Sequence, residues 1–260
     1  MEPRWMAWGA MATALLAGLP AQAGPQGCTV RSGPLRNPLV ELYTSEGCSS
    51  CPPADRWLSA LTPAPAQPSL VPIAFHVSYW DDLGWKDAFA SKRYTDRQRE
   101  LAAAAGRANV YTPQVMLGGH DYPAWNGSQA TAALQAIART PAKATLEIAQ
   151  LTEASEVSAR VKVTLPANQP AAGLVLVVAL TEDNLGSRVT AGENRGATLR
   201  HDHVARDYAT YPVQSGHEVL AHFAVKPAPK AADAHVVAFV QDRRTGEVLQ
   251  ALSACTTPST

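Results

Sequence analysis

The segment Leu39–Thr44 (Leu-Val-Glu-Leu-Tyr-Thr) is an almost unbroken apolar run. It stops at Ser45-Glu46-Gly47 and is followed at once by Cys48-Ser49-Ser50-Cys51 and then Pro52-Pro53. A short apolar run bounded by breakers predicts a buried strand. Paired prolines suit a first helical turn, whose N–H groups lack partners in any case. The pattern predicts a strand that hands over to a helix through a turn carrying both cysteines. The helix is expected over residues 54–61, starting as early as Pro52 with Cys51 or Ser50 as its cap. Free N–H groups and the dipole at a helix start favour thiolate over thiol, and the thiolate is the attacking species in disulfide exchange. Cys48 is therefore expected exposed and attacking, with Cys51 near enough to resolve a mixed disulfide. A proline disfavours helical geometry in the residue before it, and Asp55 opposes a thiolate. Only a moderate activation of Cys48 is expected, and the direction of electron flow is left open.

Further on, residues 70–79 (Leu-Val-Pro-Ile-Ala-Phe-His-Val-Ser-Tyr) predict a second buried strand, followed by an aromatic and acidic loop over residues 80–86. Two helical pieces are expected over residues 87–106. Residues 112–117 (Thr-Pro-Gln-Val-Met-Leu) read as a third strand closed by Gly118-Gly119. Asn126-Gly127 marks a turn, and Ser128 suits the cap of a helix over residues 129–139. After Pro141 the texture changes to short apolar or alternating segments over residues 145–151, 157–165, 174–180, 219–225, 235–241 and 248–253. Gly, Asn, Asp and Pro separate them. Repeated short strands with turn signals predict an antiparallel β-sandwich-like domain. Its start is placed at residue 143, after a domain over residues 36–142 and a linker over residues 24–35.

Residues 1–23 read as an export leader. Trp5 to Leu19 is apolar but shorter than the roughly 20 residues a spanning helix needs, and Ala21-Gln22-Ala23 fits a signal-peptidase cut. A periplasmic or secreted location follows as an expectation, with no membrane span after cleavage. The four cysteines allow three complete pairings. The simplest joins Cys48 to Cys51 and Cys28 to Cys255, the second bridge clasping the chain ends and contributing on the order of 4–5 kcal/mol by loop entropy. A zinc site of four thiolates normally uses two close pairs, which Cys28 and Cys255 do not form. Lys+Arg and Asp+Glu balance at 22 each, so no basic excess is available to hold nucleic acid through its phosphates.

The Cys-x-x-Cys between strand and helix, with Thr112-Pro113 opening a later strand, resembles the thioredoxin superfamily. That resemblance implies an α/β thioredoxin-like domain, followed by the β-sandwich-like domain. It also implies a cis-proline at Pro113, a substrate contact through Thr112, and a buried acid, Glu41, relaying the proton of the resolving thiol. Residues 41–55, 75–87, 110–114 and 192–196 more narrowly resemble the exported family of domain of unknown function 1223. The resulting expectation is thiol–disulfide exchange, without a cofactor, on exported protein thiols or a redox partner protein. Cys48, Cys51, Pro113, Thr112 and Glu41 would form its site.

Two other readings stand beside it. One is a non-catalytic exported binding protein with a structural disulfide. The other is copper handling, since thiolates with imidazole suit copper; the candidate ligands are His76, His120, His201 and His203. His76 lies in an apolar strand and reads first as a satisfied core residue. His201 and His203, at strand spacing, are expected to face one side. Trp80 and Trp85 offer either a peptide platform or caps on the core. No serine in the second half sits in a nucleophile-elbow pattern. Gly192-Glu193-Asn194-Arg195-Gly196 lacks the lysine of a phosphate loop and reads as packing, presentation or docking.

Overall fold

In the computed structural model, the structure describes residue 1 and residues 26–61, 70–153 and 156–254. In chain order the strands and helices are β1 (Gln26–Arg31), β2 (Leu39–Thr44), α1 (Pro52–Ser59), β3 (Val71–His76), α2 (Lys92–Ala104), β4 (Gln114–Leu117), β5 (His120–Asp121) and α3 (Ala130–Ala138). There follow β6 (Thr145–Glu153), β7 (Glu156–Thr164), β8 (Leu174–Glu182), β9 (Leu185–Arg188), β10 (Thr198–His201), β11 (Val204–Pro212), β12 (Glu218–Phe223), β13 (Ala234–Asp242) and β14 (Val248–Ser253). A 3-10 turn, Ser78–Leu83, occupies the aromatic loop after β3.

All six residues of β2 and of β3 are buried. The two strands pair in parallel, Leu39 opposite Val71 and Thr44 opposite His76. Near-continuous apolar strands of this kind need cover on both faces. β4 runs antiparallel to β2, with Leu42 opposite Val115, and β5 folds back on β4. β11 runs antiparallel to β8 and touches β3 in parallel at Val204 and Ala74. The result is one eight-stranded mixed sheet, ordered β14-β13-β8-β11-β3-β2-β4-β5. A separate antiparallel sheet has the order β1-β6-β7-β12, and β9 and β10 form a two-stranded arm of their own.

This architecture overturns the expected α/β thioredoxin-like domain followed by an antiparallel β-sandwich-like domain. Among the described residues strand outweighs helix, 42% against 16%, and strands from both halves share one eight-stranded mixed sheet. The element responsible is β11 (Val-Ala-Arg-Asp-Tyr-Ala-Thr-Tyr-Pro). It stitches strands from both halves into one sheet, yet it neither alternates cleanly nor forms an apolar run, so the pattern signal passes over it. β1, in a stretch read as linker, is the edge of the smaller sheet. The leader expected over residues 1–23 and the cysteine at 255 lie outside the described residues. Among the described residues no helix is long and apolar enough to cross a membrane.

Paired residues on neighbouring strands point to one face, so the large sheet has two distinct coats. On one face Val40, Leu42 and Ala74 pack against Ala54 and Leu58 of α1 and Ile137 of α3. Farther along that face Val178 and Val236 meet Ile148, Val161 and Phe223 of the smaller sheet. On the other face Tyr43, Phe75 and Phe239 pack with Tyr94 and Leu101 of α2. Where the β4–β5 turn meets the β13–β14 turn, Val248 N–H donates to the Gly118 carbonyl at 3.0 Å. Gly119 has φ +89, and a Cβ there would fall 1.8 Å from the Gly246 carbonyl oxygen.

Candidate functional site

Cys48 and Cys51 are joined by a disulfide with Cα atoms 5.4 Å apart. α1 begins at Pro52 with Cys51 as N-cap. The turn before it is built locally. Gly47 N–H donates to Ser45 Oγ at 3.1 Å, and Cys48 N–H and Cys51 N–H donate to the Ser45 and Cys48 carbonyls. Cys48 was expected exposed. Instead both cysteines are 0% exposed, although Ser49 and Ser50 between them are open to solvent.

The burial comes from a part of the chain far away in sequence. The β9–β10 arm reaches over the cysteine turn, and at its tip Asn194 Nδ2 donates to the Glu46 and Cys48 carbonyls at 2.8 and 2.9 Å. Ser49 N–H donates to Glu193 Oε2 at 2.9 Å, which holds the Glu193 carboxyl below its ordinary range. Gly192, at φ +70, lets the tip settle on Trp85; a Cβ there would sit 3.1 Å from Trp85 Cβ. The segment 192–196, with no role fixed by sequence, is thus the cover of the disulfide.

The last residue of the arm's return strand, His201, enters a fully enclosed polar cluster beside α1. His201 Nε2 lies 3.2 Å from Glu46 Oε1, and Trp85 Nε1 donates to Glu46 Oε2 at 2.8 Å. His76, at the end of β3, places Nδ1 2.6 Å from Asp87 Oδ2, which also accepts Glu46 N–H at 2.9 Å. The two imidazoles meet edge to face with centroids 4.9 Å apart. Asp55, one turn into α1, comes within 3.9 Å of His201 Nδ1. Each histidine thus spends one nitrogen on its own carboxylate. The other nitrogens, His76 Nε2 and His201 Nδ1, are buried without a hydrogen-bond partner.

Burial and charge divide the acids of this cluster. Burial raises the Asp55 pKa, and the nearby histidines offset this only in part. Burial pushes the Asp87 carboxyl up too, but His76 beside it wins and holds it below its usual value. Glu46 is likewise lowered, burial being outweighed by hydrogen bonds that include His201 and Trp85. Burial pulls His76 down, yet Asp87 leaves it raised. Glu46 and Asp87 were not picked out as site residues from sequence, and His76 and His201 were weighed only as copper ligands. His201 and Glu46 are 155 positions apart, and no local pattern links them.

The remaining expected residues are distributed as follows. The Thr112–Pro113 peptide is cis. Trp80 ties it toward the cysteine turn: its indole N–H donates to Thr112 Oγ1 at 2.7 Å, and its Cβ would lie 3.2 Å from a Cβ on Gly47. Trp85 braces the turn through its indole nitrogen, which donates to Glu46, and Trp80 packs against Gly47 while its own indole reaches Thr112. Glu41 is not brought to the cysteines. It faces α2, where Arg97 donates to Glu41 Oε1 through Nε at 3.0 Å and Nη2 at 2.6 Å. Cys28 is disulfide-bonded, and its expected pairing with Cys255 falls outside the described residues.

Of the copper candidates only His76 and His201 meet. His120 is exposed in β5. His201 and His203 take different partners, His201 lying beside Glu46 and His203 beside Asp183. Among the described residues no group of three His, Cys, Asp or Glu side chains is arranged to hold a metal ion.

Residues 39–241, which contain the cysteine turn, the histidine cluster and the covering arm, match the family model described as protein of unknown function (DUF1223). The chain belongs to the DUF1223 family. No curated protein matches it significantly. A crystal structure of protein AGR_C_4864 from Agrobacterium tumefaciens is 24% identical with a TM-score of 0.62, covering 87% of this chain and 97% of that one. That likeness shows a shared fold. A domain of the outer membrane lipoprotein Omp28 from Porphyromonas gingivalis is 20% identical over 46% of this chain and 92% of that one. Its TM-score of 0.31 carries no argument.

Proposed function

We propose that this DUF1223 protein is exported to the periplasm or outside the cell and exchanges disulfides with protein thiols there. Cys48 is the sulfur that meets the partner, and Cys51 is the one that resolves. The observation that carries the reading is the bonded pair at the junction of a buried parallel strand and a helix, with Cys51 as the helix cap. Loops at the C-terminal ends of parallel strands are where α/β sheets gather their sites. The strand–Cys-x-x-Cys–helix order, with Thr112-Pro113 tied in by Trp80, resembles the thioredoxin superfamily, and that kinship is part of the proposal. The leader-like residues 1–23 support export. Exchange requires a partner thiolate to approach a sulfur along the S–S axis. With both sulfurs enclosed, the β9–β10 arm must lift at Asn194 for each turnover.

The full burial of the pair favours a second reading, a structural disulfide in a binding protein. Titration of the folded protein with a small dithiol separates the two, together with Cys51→Ser and Cys48→Ser. Exchange predicts reduction of Cys48–Cys51 without unfolding and mixed disulfides that accumulate on Cys51→Ser through Cys48 but not on Cys48→Ser. A disulfide that resists millimolar dithiol until the fold melts, with no trapped adduct, leaves the structural reading standing.

A further inference from the structure

Disulfide exchange leaves one group without a stated partner. When a thiolate of an incoming dithiol attacks Cys48 Sγ, a new S–S bond forms there and the Cys48–Cys51 bond breaks. The bonding pair departs on Cys51 Sγ, which is enclosed and cut off from water. A thiolate stranded in such a site is costly unless it is protonated or paired. In the reverse direction the Cys51 thiol must lose a proton before it can attack the mixed disulfide on Cys48. The expected relay, Glu41, is on the far face of the sheet, committed to Arg97.

We infer that Asp55, set between His76 and His201, is the group that exchanges the proton with Cys51; this rests on the exchange reading above. The helix register places it. Cys51 has helical backbone angles, and Asp55 N–H donates to the Cys51 carbonyl at 3.1 Å. Residues four apart on a helix share a face, and the side chain of the second leans back toward the first. Asp55 is itself buried.

The groups facing Asp55 explain how it can hold or release a proton. His76 comes from β3 and His201 from β10, each anchored through its other nitrogen by Asp87 and Glu46. Their free nitrogens are the two unpartnered ones, so they remain available to answer the charge on Asp55. No metal-binding arrangement competes for them among the described residues. During reduction the proton passes from the Asp55 carboxyl to Cys51 Sγ, and the carboxylate left behind faces the two imidazoles. A second thiol of the partner then attacks the mixed disulfide and releases Cys48. The two protons shed by the dithiol return through solvent to the Cys48 thiolate and the Asp55 carboxylate, so the partner dithiol has become a disulfide and the protein has gained two electrons and two protons. Burial keeps the Asp55 carboxyl protonated to higher pH than usual, in line with this use.

The test is the pH profile of dithiol reduction of the full folded protein, followed by the loss of the Cys48–Cys51 bond. Asp55→Asn keeps shape and removes the proton. Its rate should fall on the order of a hundredfold at mildly acidic pH, the low end of general-acid contributions. It should converge on wild type at alkaline pH, where Asp55 is already ionised. His201→Gln, a second variant with Asp55 intact, removes a neighbour that lowers the Asp55 pKa and should move the break in the profile to higher pH. Wild-type profiles in both variants overturn the inference while leaving exchange intact. A wild-type disulfide that no dithiol reduces in the folded state overturns the exchange reading itself.

Discussion

His76 Nδ1 and Asp87 Oδ2 lie 2.6 Å apart, and neither side chain has any exposure. The pair joins the end of β3 to the loop before α2, and Asp87 also accepts the Glu46 and Phe89 N–H groups at 2.9 Å. Asp87 is lowered by His76 against the pull of burial, so its stabilisation is present above its unfolded pKa and is lost as pH falls through the folded value. His76 is raised by Asp87 against burial, so its share is present below its unfolded pKa and is lost as pH rises through the folded value. The pair is therefore worth most between about pH 4 and 6.5, the ordinary aspartate and histidine values. Asp87→Asn should lower the melting temperature most inside that window, and the gap to wild type should narrow on both sides. Melting curves at a series of pH values check this; a gap independent of pH refutes it.

Asn194 Nδ2 bonds two carbonyls of the cysteine turn at once. Each such bond is worth about 1 kcal/mol net. Asn194→Ala should therefore ease lifting of the arm and speed small-dithiol reduction of Cys48–Cys51 roughly thirtyfold, with global stability falling by about 2 kcal/mol. Stopped-flow reduction beside a denaturant titration reads both quantities. An unchanged rate means the disulfide is reached by another route.

The cysteine turn was legible because its cause is local: an apolar strand, a Ser-Glu-Gly break and a proline pair that starts α1. Glu41 was misread for a reason equally physical. Successive strand residues face opposite ways, and Leu39–Thr44 is buried on both faces. The sequence carries no alternation to say that α1 covers Val40 and Leu42 while Glu41 turns to α2. His201, Glu193 and Asn194 reach the turn only because β11 ties the second half to β3, and β11 has the least regular pattern of the long strands. Export and exchange were read from residues 1–23 and from the Cys-x-x-Cys spacing, and both remain proposals.

Glu41 and Arg97 form a buried ion pair. The guanidinium lies over the Phe75 and Phe239 rings with centroid distances of 5.6 and 5.1 Å. Arg97 Nη2 also donates to Gln241 Oε1 at 3.0 Å, so the pair pins α2 to strands of both halves. Removing one partner leaves an uncompensated buried charge, which costs about 3–5 kcal/mol. Arg97→Met should lose stability on that scale. The double variant Glu41→Leu with Arg97→Met should recover much of it, since an apolar replacement of a buried pair is often neutral. Urea titrations of the single and double variants measure the difference. The double variant should also keep the wild-type rate of disulfide reduction, because Glu41 faces away from α1; a slowed rate would return Glu41 to the site.

Gly119 and Gly246 fasten the β4–β5 turn to the β13–β14 turn. Gly119 lies in left-handed backbone geometry, where a side chain is strained, and its missing Cβ points at the Gly246 carbonyl. At 1.8 Å from that oxygen a methyl group cannot be placed without moving backbone on one side or the other. Gly119→Ala should therefore fall at the severe end of single substitutions, roughly 4 kcal/mol or more. Ala at the exposed Gly216, also at positive φ but with nothing within 4 Å, meets the backbone strain alone and should cost only about 1 kcal/mol. Unfolding curves of the two variants separate contact from strain. Equal losses would mean that the two turns do not press together as this packing requires.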